Sequence, residues 1–447
     1  MLSSRSRTAV DLRRIASRPA VRNGRAMADV AELDRANPLA RFREEFHLPP
    51  GRIYLDGNSL GLLSRRAAAS LTRAIEQWRT LGIDGWLDLA SPWLTMADTA
   101  AKQLAPLIGA SADEVCVTGQ TTANLHQLLA TLFEPTHASR RIIVGDTLNF
   151  ASDTYALQSH LRLRGLDPAT SLRLIPSRDG RILRLDDVLA AMTDDVQVAV
   201  LPAVLFTSGQ LLDVATLTRK AQERGLLIGW DLSHSIGVVP HALDRAGVDF
   251  AFWCNYKWLN AGPGATGGLY LNRRHFGRTP GLAGWWGVRP DRRFAMPLAH
   301  EPANGAAALH IGTPHILSLA PLLGSLELIA EAGGIAALRA QSLALTHFVL
   351  ERAAAELVPL GFEIVTPEGA LARGGQVALA HPEGWRLSQA LKAAGVVVDF
   401  RFPDLMRIAP APLYNSFADC AEAIARLRRC LEQRAHEKYS AAPALVP

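Results

Sequence analysis

Between residues 114 and 272, short apolar runs rich in β-branched residues alternate with longer stretches of mixed polarity. Each apolar run ends in a turn that contains Gly, Asp or Thr, and a segment of helix length follows it. Strands that alternate with helices in this way favour a mostly parallel sheet covered by helices on both faces. We predict seven strands, at residues 114–118, 141–145, 172–176, 196–204, 226–230, 250–254 and 268–271.

The sequence outside this region predicts further helices and a second, smaller αβ unit. Residues 64–78 have an amphipathic pattern, and a Gly- and Trp-rich loop follows at 82–93. Two long helices are predicted at 313–330 and 335–361, and the smaller unit extends from the second helix to Leu427. We therefore expect an N-terminal segment (27–75), a large domain (76–315), a small C-terminal domain (316–435) and a frayed tail (436–447).

Length and charge narrow the classes of protein to be considered. The 447 residues, of which 49% are hydrophobic, can bury a large core. The net charge of +5 comes from residues 1–26, because the remainder has 40 basic and 41 acidic residues. We therefore expect no nucleic-acid surface, and no apolar run is long enough to predict a membrane span. Residues 1–26 have the composition of a transit peptide, but we favour a disordered or misannotated leader, with Met27 as the natural start.

The four cysteines show neither a CxxC pair nor a metal-like spacing with histidine, so no metal site is expected. They are Cys116, Cys254, Cys420 and Cys430. We interpret them as buried thiols in a reducing compartment, which favours the cytoplasm.

A possible phosphate site lies where the first predicted strand gives way to a helix. The strand ends at Thr118, Gly119 permits a tight turn, and the helix opens with Thr121 and Thr122. Free backbone N–H groups and the helix dipole at such a place hold phosphate. The alternative is that Thr121 serves only as the helix N-cap.

A second candidate is the acidic residue at the end of a buried strand. The strand at 226–230 leads directly into Asp231, and His234 follows three residues later. A buried carboxylate is costly unless it meets a cation, and a protonated pyridine nitrogen would be such a cation. The alternative, an N-cap aspartate with a surface histidine, is disfavoured because Trp230 and Ile236 make the surroundings apolar.

The third candidate is Lys257, which follows another apolar strand and lies between Tyr256 and Trp258. Burial favours the neutral amine of a lysine, which is the form that attacks a carbonyl carbon. The alternative is an amine that reaches solvent from the edge of the core. The other lysines lie in polar segments suited to solvated charges, namely Lys102, Lys220, Lys392 and Lys438.

These three features, in this order, are those of a pyridoxal 5'-phosphate (PLP) site of the aspartate-aminotransferase type. Phe150 follows a strand end, where its ring could lie over the pyridine face, although such a residue is more often part of the core. We therefore expect an α/β protein with the PLP-dependent transferase type I fold. Its large domain, with a mostly parallel central sheet, would bind PLP.

Several segments between Tyr54 and Phe417 resemble the kynureninase family. They are YLDGNSLG at 54–61, TANLH at 122–126, NYK at 255–257, GWWG at 284–287 and RIAPAPLYNSF at 407–417. The last two are not general features of PLP enzymes, and they make the resemblance specific to this family.

The resemblance implies a role for each candidate residue. Lys257 would form the Schiff base with PLP and move the substrate α-proton, and Tyr256 would relay protons. The implied cofactor contacts are Thr121, Thr122, Ser152 and Tyr256 near the phosphate, Phe150 on the ring, Asp231 at the pyridine nitrogen, Asp153 and His234 nearby, and Trp285 and Thr313 from a partner subunit. A homodimer with a shared active site is therefore expected.

The substrate α-carboxylate calls for a planar bidentate cation, which arginine supplies best. The family's arginine precedes the Pro-Leu-Tyr-Asn-Ser-Phe segment, which selects Arg407, with Ser59 as a further substrate contact. Arg401 is the nearby alternative. The alternative is a purely structural role for Arg407, paired to Asp399 or Asp404.

The implied reaction is hydrolysis of the Cβ–Cγ bond of L-kynurenine to anthranilate and L-alanine, in tryptophan catabolism and pyridine nucleotide biosynthesis. The sequence departs from the family at Pro202, where a polar residue is common, and at Val288, where a histidine is common. Gly312-Thr313 stands where animal members carry Ser-Asn, which favours unsubstituted kynurenine over its 3-hydroxy derivative. Trp86 or Trp93 would also shape the aryl pocket.

Three other functions are alternatives for such a chain. A cysteine desulfurase would need a nucleophilic cysteine on a mobile Gly-rich loop, and the cysteines lie in strand or helix contexts. An aminotransferase would pass the amino group to a keto acid. A non-catalytic binding protein is disfavoured because Lys257 and Asp231 are both present.

Overall fold

The computed structural model describes residues 29–442 except 88–89, 91 and 136–138. The predicted leader, Met27 and residues 443–447 lie outside the described residues. The helices are α1 Val30–Ala36, α2 Arg65–Leu81, α3 Met96–Ile108, α4 Thr121–Leu132, α5 Ala151–Leu163, α6 Pro168–Ser171, α7 Leu185–Ala191, α8 Val214–Glu223, α9 Leu243–Ala246, α10 Ile316–Glu331, α11 Gly334–Glu356, α12 Gly384–Ala393 and α13 Phe417–Glu432. The strands are β1 Ile53–Tyr54, β2 Val115–Val117, β3 Ile142–Asp146, β4 Leu172–Ile175, β5 Val196–Pro202, β6 Leu227–Asp231, β7 Phe250–Trp253, β8 Gly268–Leu271, β9 Glu363–Ile364, β10 Val377–Ala380, β11 Val396–Val397, β12 Asp399–Arg401 and β13 Leu405–Ile408.

All seven predicted strands are present, and they form one sheet with the order β2-β8-β7-β6-β5-β3-β4. The pairings among β7, β6, β5, β3 and β4 are parallel, and β8 runs antiparallel to both of its neighbours. Every strand except β8 therefore ends at the same edge of the sheet. The expected α/β fold with a mostly parallel central sheet is confirmed.

Both faces of the sheet are covered because side chains alternate along each strand. In β7, Phe250 and Phe252 pack among the leucines of α4 and α5, whereas Ala251 and Trp253 pack on the opposite face with residues of α3, α8 and α10. Gly229 in β6 leaves room for the Phe250 ring, which a Cβ atom at this position would approach to 2.0 Å. Strands buried on both faces need apolar residues at almost every position.

The smaller unit contains a second sheet, with the order β12-β13-β10-β9 and antiparallel pairings throughout. Helices α11, α12 and α13 pack with it around a separate core. The N-terminal segment joins this unit, because β1 pairs in parallel with β11 and Leu55 lies in the same core. Residues 53–55 therefore pack with a unit that is built mainly from the second half of the chain.

The boundaries predicted between domains remain predictions, but two of them can be placed on the structure. Helix α2 crosses residue 75, and Ser64 caps its N-terminus by accepting a hydrogen bond from Ala67 N. Helix α10 begins directly after residue 315 and packs against α2 and α3 of the large unit.

The prediction of a frayed tail from His436 onward is wrong for the residues that follow it directly. His436 is buried within a short 3₁₀ helix, Ala435–Lys438. The indole of Trp385 donates to Ser440 O at 3.1 Å, and Arg386 Nε donates to Tyr439 O at 2.9 Å. The tail is held because α12 offers donors to its backbone carbonyls.

Within the described residues, no individual helix has both the length and the apolar character needed to cross a membrane. Helices α10 and α11 meet those requirements only when taken together, and they are bent by 78° at the break between them.

Candidate active site

The turn between β2 and α4 has the form that the sequence predicted. Gly119 has a φ of +50°, and α4 begins at Thr121. The N-cap is Gln120 rather than Thr121, so the alternative in which Thr121 serves only as a cap is not observed. The Thr122 and Ser152 hydroxyl oxygens are 2.5 Å apart, which brings the starts of α4 and α5 together. These hydroxyls and the free N–H groups in the first turn of α4 are donors of the kind that bind phosphate.

Two buried carboxylates lie at the carboxyl edge of the sheet. Asp231 ends β6, the central strand, and its Oδ1 accepts from Ser233 N at 2.8 Å. Asp153 lies in the first turn of α5 and accepts from Asn149 Nδ2 at 3.1 Å. Burial raises the pKa of Asp231, with Lys257 and Ser233 acting against it. Burial, together with the charge of Asp231, raises the pKa of Asp153 well above its usual range.

Lys257 lies close to these acids, and its Nζ is 2.9 Å from Nε2 of His234. His234 is buried, so the alternative of a surface histidine is not observed. Burial lowers the pKa of His234 well below its usual value, and the charge of Lys257 adds to this effect. The imidazole is therefore neutral at physiological pH, and Nε2 can accept a hydrogen bond from the lysine.

The 54–61 motif lies directly against the lysine turn. Gly61 N donates to Tyr256 O at 2.8 Å, and a Cβ atom at Gly61 would lie 2.3 Å from Lys257 O. Only glycine permits this approach. Burial raises the pKa of the Tyr256 hydroxyl, with Cys254 acting in the same direction, so the hydroxyl keeps its proton and can donate it.

Phe150 is half exposed at the N-cap of α5, as a residue that covers a ligand would be. Its ring meets Phe206 edge to face, with the centroids 5.5 Å apart. Phe206 follows β5, and its ring also contacts His234 at 6.2 Å. Phe206 was not among the residues predicted from the sequence, although its position after a central strand was a usable signal.

Arg407 is buried and faces the same edge from β13. Its Nη1 donates to Phe206 O at 2.7 Å, its Nη2 donates to Ser59 Oγ at 3.2 Å, and it forms an ion pair with Asp399. Burial lowers the pKa of Arg407 to about 10. The pairing with Asp399 that the sequence left open is thus present, together with contacts to both predicted and unpredicted site residues. Asp404 pairs with Arg181 instead.

Trp285 and Thr313 have different neighbours from Lys257, Asp231 and His234. Trp285 Nε1 donates to Arg293 O at 2.9 Å, and its ring contacts Trp286 and Phe294. Thr313 is exposed and lines a cavity of about 150 Å³ beside Gly119. Val288 is buried, so it lies in the core.

Two family models match the chain. Residues 53–380 match aminotransferase class-V, and residues 338–427 match the kynureninase C-terminal domain. A kynureninase of Geobacillus thermodenitrificans is 48% identical over 409 residues, which cover 92% of this chain and 95% of the relative. The chain belongs to the kynureninase family. A kynureninase of Shouchella clausii is 45% identical, with coverage of 91% and 95%.

Solved structures outside the kynureninase family share the fold. The cystine C–S lyase C-DES, in complex with cysteine persulfide, has a TM-score of 0.73 and 17% identity, covering 85% of this chain and 98% of that one. The cysteine desulfurase CsdA from Escherichia coli has a TM-score of 0.72 and 18% identity, covering 89% and 99%. At this level of identity the likeness supports the fold alone.

The residues present fit PLP, the cofactor of the kynureninase family. Neither Asp231 nor Asp153 forms an ion pair with any residue that the structure describes, although both are buried. A pyridinium nitrogen would supply the missing cation. Lys257, the Thr122–Ser152 pair and the half-exposed Phe150 surround the same edge.

Two further residues of this family member were missed by the sequence analysis. Asn58 and Gln376 are both buried, and Asn58 Nδ2 donates to Gln376 Oε1 at 2.5 Å. Asn58 was quoted only as part of a motif, and Gln376 precedes a short strand of the small unit without any local signal. Both polar side chains would have been assigned to the surface on composition alone.

Proposed function

We propose that this chain hydrolyses the Cβ–Cγ bond of L-kynurenine, giving anthranilate and L-alanine. The observation that carries the proposal is the convergence of Lys257, Asp231 and Arg407 at one edge of the sheet. This convergence occurs in a chain that is 45–48% identical to kynureninases over more than nine-tenths of its length.

PLP, when bound, supplies an electron sink that stabilises negative charge at the substrate α-carbon. Asp231 would hold the ring nitrogen in its protonated form, because a buried carboxylate needs a cation beside it. Lys257 Nζ would take and return the α-proton, and His234 fixes its direction at 2.9 Å. Water would add to the γ-carbonyl, so that Cγ leaves as the carboxylate of anthranilate, and the Tyr256 hydroxyl, whose pKa is raised by burial, would give its proton to Cβ, which keeps the electron pair of the broken bond.

The α-carboxylate would bind at Arg407. The guanidinium is already oriented by Phe206 O, Ser59 Oγ and Asp399, and its Nε has no hydrogen-bond partner among the described residues. A carboxylate that reached this N–H and the neighbouring Nη would satisfy a buried donor.

The same proposal includes a homodimer in which Trp285 and Thr313 reach the cofactor of the other subunit. Large apolar side chains stand exposed on α2 and on the two segments that carry these residues, namely Ile75, Trp78, Trp285 and Ile311. Mixing inactive Lys257→Ala chains with inactive Trp285→Ala chains should restore part of the activity, because a hybrid dimer would contain one intact site. Failure of restoration in hybrids shown to form would count against shared sites.

Two finer points belong to the proposal. The four cysteines are free and buried, which supports a reducing compartment such as the cytoplasm and offers no exposed thiol for desulfurase chemistry.

Unsubstituted kynurenine is the expected substrate because Thr313 is too short to reach a ring hydroxyl. Thr313→Asn should shift the kcat/KM ratio towards 3-hydroxykynurenine several-fold, and an unchanged ratio would assign that selectivity elsewhere.

The direct test is to incubate purified, PLP-loaded protein with L-kynurenine and follow the fluorescence of anthranilate. L-Alanine should appear in equal amount. A parallel assay with a keto acid as amino acceptor tests the aminotransferase alternative. Loaded protein that forms no anthranilate would overturn the proposal.

A further inference from the structure

A cavity of about 570 Å³ lies between α4 and α5, and none of the predicted site residues lines it. Residues 281–282 and Ile311 complete its wall. It adjoins the smaller cavity beside Gly119, because Ala123 and Ile311 line both. Small-molecule sites in proteins have volumes of about 300–1,000 Å³, so this cavity has room for a ring with polar substituents.

The polar part of the lining includes a positive charge and no acidic group. Arg164 is exposed at the C-cap of α5, and its Nη2 donates to Ala130 O at 2.7 Å, which orients the guanidinium beside the cavity. The other polar residues are Ser159, His126 and His160, and no Asp or Glu is among the described residues of the lining. The cavity therefore favours an anion, and a guanidinium is well suited to a carboxylate.

His160 offers a contact of a different kind. It is buried, and its Nε2 has no hydrogen-bond partner among the residues that the structure describes. Burial lowers the pKa of His160 to about 4, with the charges of Arg164 and His126 acting in the same direction, so the ring is neutral at physiological pH. The ring also hydrogen-bonds the backbone of Leu129, which leaves Nε2 as the acceptor nitrogen. A ligand with an N–H donor would satisfy this nitrogen.

The remaining lining is apolar or aromatic. Leu163, Leu282 and Ile311 are large aliphatic side chains that stand exposed to solvent. His126 comes from the TANLH segment at 122–126, and its ring lies 6.5 Å from that of His160, centroid to centroid. A ligand with an apolar ring would cover the aliphatic side chains and lie beside the imidazoles.

We propose that this cavity is a second binding site, for an aromatic carboxylate that carries an amino group. The carboxylate would pair with Arg164, the amino N–H would donate to Nε2 of His160, and the ring would pack on the exposed aliphatic side chains. Anthranilate has all three parts and is the aromatic product under the proposed function, so the choice of this ligand rests on that function.

The test measures the binding of radiolabelled anthranilate to the PLP-loaded protein by equilibrium dialysis. Arg164→Gln removes the charge, and His160→Phe removes the acceptor but keeps a ring. Arg162→Gln is the matched control, because Arg162 is an exposed arginine of the same helix that does not line the cavity. Arg164 is itself exposed, so Arg164→Gln should fold even if His160→Phe does not.

We expect the Kd of one anthranilate site per chain to rise about tenfold in Arg164→Gln and in His160→Phe, and to stay unchanged in Arg162→Gln. Benzoate, which lacks the amino group, should bind that site of the wild type about tenfold more weakly than anthranilate. In His160→Phe the two ligands should bind equally. Aniline, which lacks the carboxylate, should bind more weakly than anthranilate in the wild type but not in Arg164→Gln.

The proposal is overturned if either cavity variant, once shown to be folded, binds anthranilate as Arg162→Gln does. It is also overturned if benzoate binds the wild type as tightly as anthranilate does. A second copy of the chain that filled the cavity would give the first of these results.

The outcome is independent of the reaction itself. If the wild-type protein does not cleave L-kynurenine, the proposed function fails, and a site that responds to Arg164→Gln can still be measured. If cleavage occurs and the cavity variants bind anthranilate as the control does, the function stands and the second site is wrong.

Discussion

Buried charges occur in two regions of the site, and the two regions differ in whether these charges have ion-pair partners. At the carboxyl edge of the large sheet, Asp153 and Asp231 are buried without an ion pair to any described residue, and burial raises the pKa of each. In the small unit, Arg407 is equally buried but is paired with Asp399, which also pairs with Arg401. In the first region the charge of Lys257 offsets the cost of burial only in part, whereas the second region supplies its own ion pairs.

The difference indicates what each region is built to receive. A buried carboxylate without a cation costs free energy, so the large-sheet edge favours a ligand that brings positive charge. The small-unit region is oriented in advance by its own acid and carbonyl groups, so a ligand carboxylate meets a fixed guanidinium. Under the proposed function, the cofactor would complete the first region, and the substrate carboxylate would bind in the second.

The largest effect is expected from Lys257→Ala, which removes the amine from the first region. We expect kcat to fall by at least about 10³-fold, because both the covalent attachment and the proton transfer are lost. Lys220→Ala is the control and should leave kcat unchanged, since Lys220 is a partly exposed lysine of α8 that pairs with Glu223. Turnover of Lys257→Ala at a near wild-type rate would place the chemistry elsewhere.

A smaller loss is expected from Asp231→Asn, which tests the missing cation directly. An amide cannot hold the pyridine nitrogen in its protonated form, so kcat should fall by about 10²-fold while PLP still binds. Asp249→Asn is the matched control, since Asp249 is equally buried at the other edge of the sheet but is paired with Arg274 and His275. If the control loses as much kcat as Asp231→Asn, the effect is one of stability.

Arg407→Lys should act on binding rather than on chemistry. A lysine ammonium cannot keep the planar contacts to Phe206 O and Ser59 Oγ while it binds a carboxylate, so KM should rise about 10- to 100-fold. Arg181→Lys, at the bidentate pair with Asp404, provides the same change outside the site. An unchanged KM for Arg407→Lys would move the carboxylate contact to Arg401.

The smallest effect on turnover is expected from Asp146→Asn. Asp146 extends the comparison to a buried carboxyl that has no proposed role in the chemistry. Burial raises the pKa of Asp146 from 3.8 to about 7, so between these values the folded chain holds a proton that the unfolded chain loses. The stabilisation that this bound proton gives to the folded chain is fully present below pH 3.8 and is lost as the pH rises through about 7. The wild type should lose about 1.4 kcal/mol of unfolding free energy per pH unit relative to Asp146→Asn in that window. The measurement is the unfolding free energy of both proteins from denaturation at several pH values in this range. If the difference between the two proteins does not change with pH, the carboxyl is not buried as described.

The large sheet could be predicted from the sequence because strands buried on both faces are continuous apolar runs. The three features built on Thr121, Asp231 and Lys257 follow strand ends in the same sheet, so their meeting at one edge was also predictable. The shifts at strand boundaries amount to one or two residues in most cases, as for β3, which begins at Ile142 and ends at Asp146.

The small-unit side of the site could not be predicted in the same way. Its strands are two to four residues long, and the pairing of Asp399 with Arg407 depends on the antiparallel register of β12 and β13. Gln376 and Phe206 matter only through contacts with distant segments, which no local pattern encodes. The prediction of a frayed tail was wrong for the same reason, because Trp385 and Arg386, from another part of the chain, donate hydrogen bonds to the tail.

The contact between Arg407 and Ser59 joins residues 348 positions apart in the sequence. A ribosome that has released residues 54–61 must therefore synthesise most of the remaining protein before that motif finds its partners in β11 and β13. Pairings of this separation form late in folding, since the closure of a long loop precedes any stabilising contact. A nascent chain can complete the lysine-bearing sheet well before it can hold an amino acid, so binding of the ligand requires that the chain has been made and folded at least through β13.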